Sequence, residues 1–367
     1  MPEKKHIMFY ISTLRRGGAE RVIVNLAEGF LREGYKVSIV TPYRKPPELE
    51  YVISSEITRI ISEPAEDKLQ GNRLQNFKTR VHTLSDIWKE NKPALIVSFV
   101  GKNNMMALLS TWKLHIPVVI SVRGNPASEY ASKSMNLAAK LLFPHAAGIV
   151  LQTNQAKAYF SKPIQKKAVI LPNPLNPLFI KERFEGERKN EIVTVTTMDE
   201  NKNQKMLVSA FARIAGKFPD VYVTIYGEGP KRAELEQLAD SLGIREQIKM
   251  PGESSNIPED IYRSRIFVMT SNTEGSPNAL IEAMSLGLAC VSTDCPCGGP
   301  AELIEDGVNG MLVPVNDDEK LAEKLEQILT HPQLEQQLGI KATQIQEKME
   351  PETVFTEWKK YLENLEN

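Results

Sequence analysis

The chain has 367 residues, more than the roughly 250–300 at which a single hydrophobic core stops growing, so two domains are expected. Hydrophobic residues at 41% and charged residues at 25% exclude a disordered chain, and a formal net charge of −1 argues against attraction of the whole molecule to nucleic acid, so no nucleic-acid partner is expected. No run reaches the roughly 18 apolar residues of a membrane span, residues 1–35 lack a signal-peptide pattern, and Cys290, Cys295 and Cys297 are too few and too close for a disulfide framework, so a cytoplasmic protein is expected.

In the first half, short apolar runs alternate with helical patterns. Strands are predicted at 6–12, 36–42, 94–100, 117–123, 148–153 and 168–171. Near-continuous apolar stretches such as Ala94-Leu95-Ile96-Val97-Ser98-Phe99-Val100 suit strands buried on both faces. A helix over 19–33 places Val22, Leu26, Phe30 and Leu31 on one side. Over 68–92, Lys68, Arg73, Lys78, Arg80, Lys89 and Lys92 stand against Asp86 and Glu90, while Leu74, Phe77, Val81, Leu84 and Trp88 recur at helical spacing. Most of that apolar face is expected to be core. A peripheral contact with the inner face of a membrane is the second expectation.

The stretch Leu171-Pro172-Asn173-Pro174-Leu175-Asn176-Pro177, followed by the charged residues 181–190, reads as an interdomain linker. The alternation then restarts, with strands at 192–197, 221–226, 247–250, 266–271, 289–293 and 310–315. Helices are predicted over 203–216, 230–242 and 277–286, and through the tail 317–367, broken at Pro351. Phe355, Trp358, Tyr361 and Leu362 form an apolar stripe on the last helix. The fold class is α/β, with two facing doubly wound parallel-sheet, Rossmann-like domains. In such sheets ligands bind at the carboxyl ends of the strands.

Four motifs fall at those ends. Gly17-Gly18 follows the first strand and opens a helix whose N–H groups suit an anion, although a plain tight turn reads equally well. Asp199-Glu200-Asn201-Lys202-Asn203-Gln204 follows the first strand of the second half, where a lysine can neutralise a diphosphate leaving group, although taken alone the segment reads first as a solvated polar loop. Gly227-Glu228-Gly229-Pro230 is a turn that also allows a ligand close to the backbone. In Glu274-Gly275-Ser276-Pro277-Asn278-Ala279-Leu280-Ile281-Glu282, Ser276 is expected as helix N-cap and Pro277 as the first helical residue. Glu274 is then free to accept hydrogen bonds from sugar hydroxyls, and Glu282 stands two turns into the helix, where it can hold a ribose. Cys295-Pro296-Cys297 lacks a second Cys or His pair, and the five histidines are scattered, so no metal is expected.

Taken in order, these motifs resemble the retaining glycosyltransferases of GT-B fold in family 4, over essentially the whole chain. Residues 273–284 carry the strongest similarity. Asp294-Cys295-Pro296-Cys297-Gly298-Gly299-Pro300 is similar to a subset that builds bacterial surface polysaccharides and glycolipids. The resemblance implies an acceptor-side domain over 1–178, with 351–367 packing back on it, and a nucleotide-sugar donor domain over 190–350. It implies that Lys202 contacts the diphosphate, with Thr197, Asn203 and Gly227 around it. Gly17, Gly18 and the backbone of Gly275, Ser276, Pro277 and Asn278 would surround the phosphates and donor sugar. Glu274 would bind sugar hydroxyls, Glu282 the ribose, and the loop of Glu253, Asn256 and Ile257 the base. The donor would be a UDP-sugar and the acceptor a saccharide or lipid-linked glycan, with no metal or other cofactor and no protein nucleophile.

Two departures stand out. Thr196-Thr197 replaces the Gly-Arg of the family, removing a guanidinium from the diphosphate; Arg15, Arg16 and Lys205 are candidates to supply that charge. This departure sustains an alternative reading, a catalytically weakened partner subunit. Arg123 stands where the family often has histidine; it cannot act as a base, but suits charge stabilisation at the catalytic centre, or else a structural salt bridge. A sugar-nucleotide epimerase fits the lysine loop and the paired glutamates less well. A nicotinamide dehydrogenase is disfavoured because no Gly-x-Gly-x-x-Gly follows the first strand.

Overall fold

The computed structural model describes residues 5–15 and 17–366. It divides into two compact units, one up to Asn173 together with the residues from Glu352 onward, the other Pro174–Pro351.

The first unit holds seven parallel strands, β1 (His6–Tyr10), β2 (Lys36–Thr41), β3 (Thr58–Ile61), β4 (Leu95–Phe99), β5 (Val118–Ser121), β6 (Gly148–Leu151) and β7 (Ala168–Ile170). Their spatial order is β3-β2-β1-β4-β5-β6-β7. The switch from leftward to rightward growth lies beside β1, where Phe9 pairs with Ile39 on one side and Val97 on the other. β1, β4, β5 and β6 are buried throughout, as their unbroken apolar runs require. β3 escapes sequence reading because Thr-Arg-Ile-Ile is only half-buried at the sheet edge. The helices are α1 (Gly18–Arg32), α2 (Arg73–Asn91), α3 (Gly101–Thr111), α4 (Pro126–Glu129), α5 (Lys133–Leu142), α6 (Asn154–Tyr159) and α7 (Lys162–Lys167).

In α2 the apolar face divides. Leu84 and Trp88 are buried, Trp88 donating its indole N–H to Ser110 Oγ at 2.8 Å, whereas Leu74 and Phe77 are 62% and 43% exposed. The first turns of α2 therefore do not serve as core.

In the second unit six parallel strands take the order β10-β9-β8-β11-β12-β13. They are β8 (Lys189–Val195), β9 (Tyr222–Tyr226), β10 (Ile248–Gly252), β11 (Ser264–Met269), β12 (Ala289–Thr293) and β13 (Met311–Val313). The helices are α8 (Gln204–Ile214), α9 (Arg232–Ser241), α10 (Ile257–Ile261), α11 (Asn278–Ser285), α12 (Gly299–Leu303), α13 (Asp318–Thr330), α14 (Pro332–Ala342) and α15 (Ile345–Lys348).

The final helix, α16 (Pro351–Glu366), belongs to the first unit from Glu352. It buries Val354, Phe355, Trp358 and Leu362 in the core under β1 and β4. The Phe355 ring lies 5.2 Å from Phe30, and Trp358 stacks on Phe99 at 5.8 Å. Gly29 and Gly148 make room: a Cβ on Gly29 would collide with the Phe355 ring, and one on Gly148 with Tyr361 Oη.

The proline-rich stretch is not a free linker from Pro174 onward. Leu175 and Phe179 are buried in the second unit, and Leu175 N–H donates to Met349 O at 2.8 Å. Arg188 holds the following segment, donating to Ser264 O at 2.7 Å and to Gly287 O at 3.2 Å. Prolines stop helix and strand, but they leave the apolar side chains between them free to join a core.

Candidate functional site

The motifs of the second unit converge at the carboxyl ends of its strands. The polypeptide leaves β8 at Thr196-Thr197 and β9 at Gly227, and the two turns are laced together: Thr196 N–H donates to Tyr226 O, and Met198 N–H to Glu228 O, both at 2.9 Å. Gly227 has φ +124°, and a Cβ there would strike the Thr196 carbonyl, so a side chain is excluded on two counts.

The lysine loop is built by its own polar side chains. Asp199 Oδ1 accepts the Lys202 N–H at 3.0 Å, and Asn203 adopts the left-handed conformation, φ 48°, as it caps α8. The loop after β11 is clasped to it. Asn272 N–H donates to Asn201 O at 2.7 Å, Thr273 Oγ1 to Asn201 Oδ1 at 3.0 Å, and Asn201 Nδ2 to Thr273 O at 3.2 Å. Asn203 Nδ2 donates to Asn316 Oδ1 at 2.8 Å, tying in the loop after β13. This clasp sets Lys202 Nζ 2.5 Å from Glu274 Oε1; the Glu274 side chain is 12% exposed and the Lys202 side chain 29%.

Behind Glu274 lies the segment 294–299. Glu274 N–H donates to Pro296 O at 3.1 Å, and Gly299 N–H to Glu274 O at 3.3 Å. A Cβ on Gly299 would collide with Gly275 O. Burial, aided by the Glu274 carboxylate, pushes the Cys295 thiol up to about 12, and burial pushes Cys290 higher still. Neither supplies a thiolate at neutral pH. Among the described residues no group of three or more His, Cys, Asp and Glu is placed to hold a metal ion.

Helix α11 begins one residue later than the sequence suggests. Pro277, at ψ 100°, is the cap rather than the first helical residue, its carbonyl accepting the N–H groups of Leu280 and Ile281 at 3.1 Å; Ser276 lies outside the helix. Proline here is fixed in φ yet free in ψ, so it stops at the boundary. Gly275 and Pro277 are buried, Ser276 and Asn278 half-buried, and Glu282 is 8% exposed. Glu253 and Asn256 are exposed in the loop after β10, with Ile257 opening α10; Gly252 turns into that loop at φ +91°. Thr197 is exposed, its carbonyl accepting Gln204 Nε2 at 2.8 Å.

In the first unit Gly17 caps α1, accepting the Arg21 N–H at 3.0 Å, and Gly18 is the first helical residue. Arg16 lies outside the described residues. Arg123 follows β5. Its guanidinium covers the Phe99 ring at 4.9 Å, donates to Ser121 Oγ at 3.3 Å and hydrogen-bonds Asn173 Oδ1. Burial lowers its pKa to about 9, the nearby Glu129 carboxylate opposing, so it remains a cation at neutral pH. Glu129 accepts the N–H groups of Gly101 and Gly124 at 3.2 and 3.0 Å instead of pairing with Arg123, and no ion pair of Arg123 forms among the described residues. Phe99 and Asn173 were given no role from the sequence, and Asn201 and Thr273 stood there only as members of motifs; single asparagines, threonines and aromatics carry no signal until the fold joins them.

Residues 16–177 match the family described as Glycosyltransferase Family 4, and residues 177–345 the family described as Glycosyl transferases group 1. The chain is a glycosyltransferase with a Glycosyltransferase Family 4 domain followed by a Glycosyl transferases group 1 domain. A curated relative from Campylobacter jejuni is 27% identical over 98% of this chain and 99% of its own length: GalNAc-alpha-(1->4)-GalNAc-alpha-(1->3)-diNAcBac-PP-undecaprenol alpha-1,4-N-acetyl-D-galactosaminyltransferase. The amylovoran biosynthesis glycosyltransferase AmsD of Erwinia amylovora is 22% identical over 93% of this chain and 95% of its own. Among solved structures, Anabaena HepE in complex with UDP matches with a TM-score of 0.81 at 17% identity, covering 98% of this chain and 100% of that one. These structures establish the GT-B fold for this glycosyltransferase. At the carboxyl edge of its second sheet Lys202 thus stands beside Glu274, which Gly275 follows directly.

Proposed function

We propose that this glycosyltransferase moves a hexose or N-acetylhexosamine from a UDP-sugar to a saccharide or lipid-linked acceptor in cell-surface polysaccharide biosynthesis, with retention of anomeric configuration. The observation that carries the reading is the Lys202–Glu274 pair at the carboxyl edge of the second sheet. The diphosphate takes the lysine from the glutamate, and the released carboxylate accepts hydrogen bonds from donor hydroxyls. Glu282 holds the ribose, the loop of Glu253, Asn256 and Ile257 receives the base, and the backbone of Gly275–Asn278 lines the phosphates. Thr197, Asn203 and Gly227 complete the wall.

In the transfer itself, the bond from the anomeric carbon to the β-phosphate oxygen breaks, and a bond to the acceptor oxygen forms on the same face. The departing phosphate oxygen takes the acceptor proton. Lys202 stabilises the charge on the leaving diphosphate without a metal. Support for the donor comes from HepE, solved with UDP and with UDP-glucose. Support for the acceptor comes from the Campylobacter relative, whose name specifies an undecaprenol-diphosphate-linked glycan, and from AmsD, named for amylovoran.

The test is incubation with a panel of UDP-, GDP- and ADP-sugars and glycan acceptors, with the product linkage read by NMR. Consumption of a UDP-sugar and a product with the donor's anomeric configuration is expected. Turnover confined to GDP- or ADP-sugars, or an inverted product, contradicts the proposal.

A further inference from the structure

The first sheet has a cavity at the edge opposite Arg123, where β5 and β6 begin. Its volume is about 390 Å³, within the roughly 300–1,000 Å³ of small-molecule sites. Trp112 at the end of α3, His115 in the turn to β5, His145 in the turn to β6 and Lys167 at the end of α7 line it. His115 makes its turn with left-handed backbone, φ 55°.

Trp112 is 57% exposed, whereas the other two tryptophans, Trp88 and Trp358, are fully buried. The His145 ring meets the indole at a centroid distance of 4.7 Å and an angle of 65°, which holds the indole in one plane without covering it. The indole N–H and the side chains of His115 and His145 have no hydrogen-bond partner among the described residues. Lys167, the one lysine or arginine among the described residues of the wall, donates to Pro144 O at 2.7 Å and to Ala146 O at 3.0 Å. Among the described residues no carboxylate lines the cavity. An anionic ligand calls for a guanidinium fork or a cluster of free cations, and a cationic ligand for acids. The wall therefore suits a neutral ligand with a flat apolar face and a rim of polar groups.

We propose that this cavity is a second glycan site, which takes a neutral pyranose ring of an oligosaccharide against Trp112. The axial C–H bonds of a pyranose present a weakly positive face, which the negative face of an indole attracts. Its hydroxyls both donate and accept hydrogen bonds, as two imidazoles and an indole N–H require. A nucleotide base also stacks on an indole, but its phosphates find no free cation here. The site rests on the chain being a glycosyltransferase and not on the donor or acceptor proposed above. A second point of attachment keeps a glycan chain at the enzyme and raises its effective concentration.

The experiment is acrylamide quenching of tryptophan fluorescence in the full chain, paired with saturation-transfer NMR on the sugar. The probes are maltohexaose, chitohexaose and a galactan oligosaccharide at millimolar concentration, with no donor present. Trp112 is the tryptophan that acrylamide reaches, so a bound oligosaccharide is expected to lower the quenching, and its ring protons to receive saturation. Trp112→Ala is expected to weaken binding about tenfold or more, and His145→Ala about threefold or more. Both positions are exposed, and unaltered melting temperature and UDP binding show that the variants are folded. Absence of both signals with all three oligosaccharides, beside normal UDP binding, overturns this site and leaves the transferase function standing. Saturation transfer undiminished in Trp112→Ala and His145→Ala also overturns it. So does shielding of Trp112 by uridine and not by the oligosaccharides.

Discussion

Lys202 and Glu274 stand 72 residues apart in sequence and 2.5 Å apart in space. Their pair is partly exposed, so it contributes at most about 1 kcal/mol to stability. In the function proposed above, the glutamate holds the lysine until a diphosphate takes it over. The two partners therefore respond differently to substitution. Lys202→Ala is expected to cut transfer by about 10²–10³-fold and to weaken UDP binding, with the melting temperature nearly unchanged. Glu274→Gln weakens the hold on the lysine, so UDP is expected to bind as well or better while transfer falls, because the donor hydroxyls exchange a carboxylate for a weaker amide oxygen as hydrogen-bond acceptor. Calorimetric titration with UDP beside initial rates separates these effects; equal losses of binding in both variants contradict them. Thr197 is exposed beside this loop, where the family carries arginine. Thr197→Arg is expected to tighten UDP binding by about tenfold or more through a charge-assisted bond, measured by the same titration; no change places the missing charge elsewhere.

Two contacts fasten segments outside the first sheet onto its unit. Helix α16 seals the core with Trp358, fully buried against Phe99. Trp358→Ala is expected to cost about 3–5 kcal/mol in urea unfolding followed on the first unit. The second fastening is Arg59, which grips Glu50 in the loop after β2 with a fork of hydrogen bonds, one at 2.9 Å, and holds its carboxyl at about 2. The folded pKa lies below the ordinary 4.5, so this stabilisation is complete above about pH 4.5 and drains away as pH falls toward 2. Glu50→Gln is expected to lower the neutral-pH melting temperature and flatten its dependence on pH in that window; an unchanged slope contradicts the assignment. Strands such as β4 were legible because burial on both faces writes an unbroken apolar run. The half-buried edge strand β3 was not, nor was the packing of Leu175 and Phe179, because prolines hide it behind a linker-like composition. The start of α11 was misplaced by one residue because Pro277 suits either side of a helix boundary.

At the scale of the molecule, the two halves were legible from the restart of the βα alternation after residue 190, although the structure sets the division at Asn173–Pro174. The four motifs were legible as turns at strand ends, but the clasp that aims Lys202 at Glu274 was not, because Asn201, Asn272 and Thr273 acquire meaning only when β8 and β11 lie side by side. In the proposed function Lys202 binds the diphosphate of a nucleotide-sugar at the carboxyl edge of the second sheet. Calorimetric titration of UDP and UMP into the wild type and Lys202→Ala is the decisive measurement. The wild type is expected to prefer UDP, and Lys202→Ala to lose most of this preference while still binding UMP. Equal preference for UDP in both proteins would contradict it.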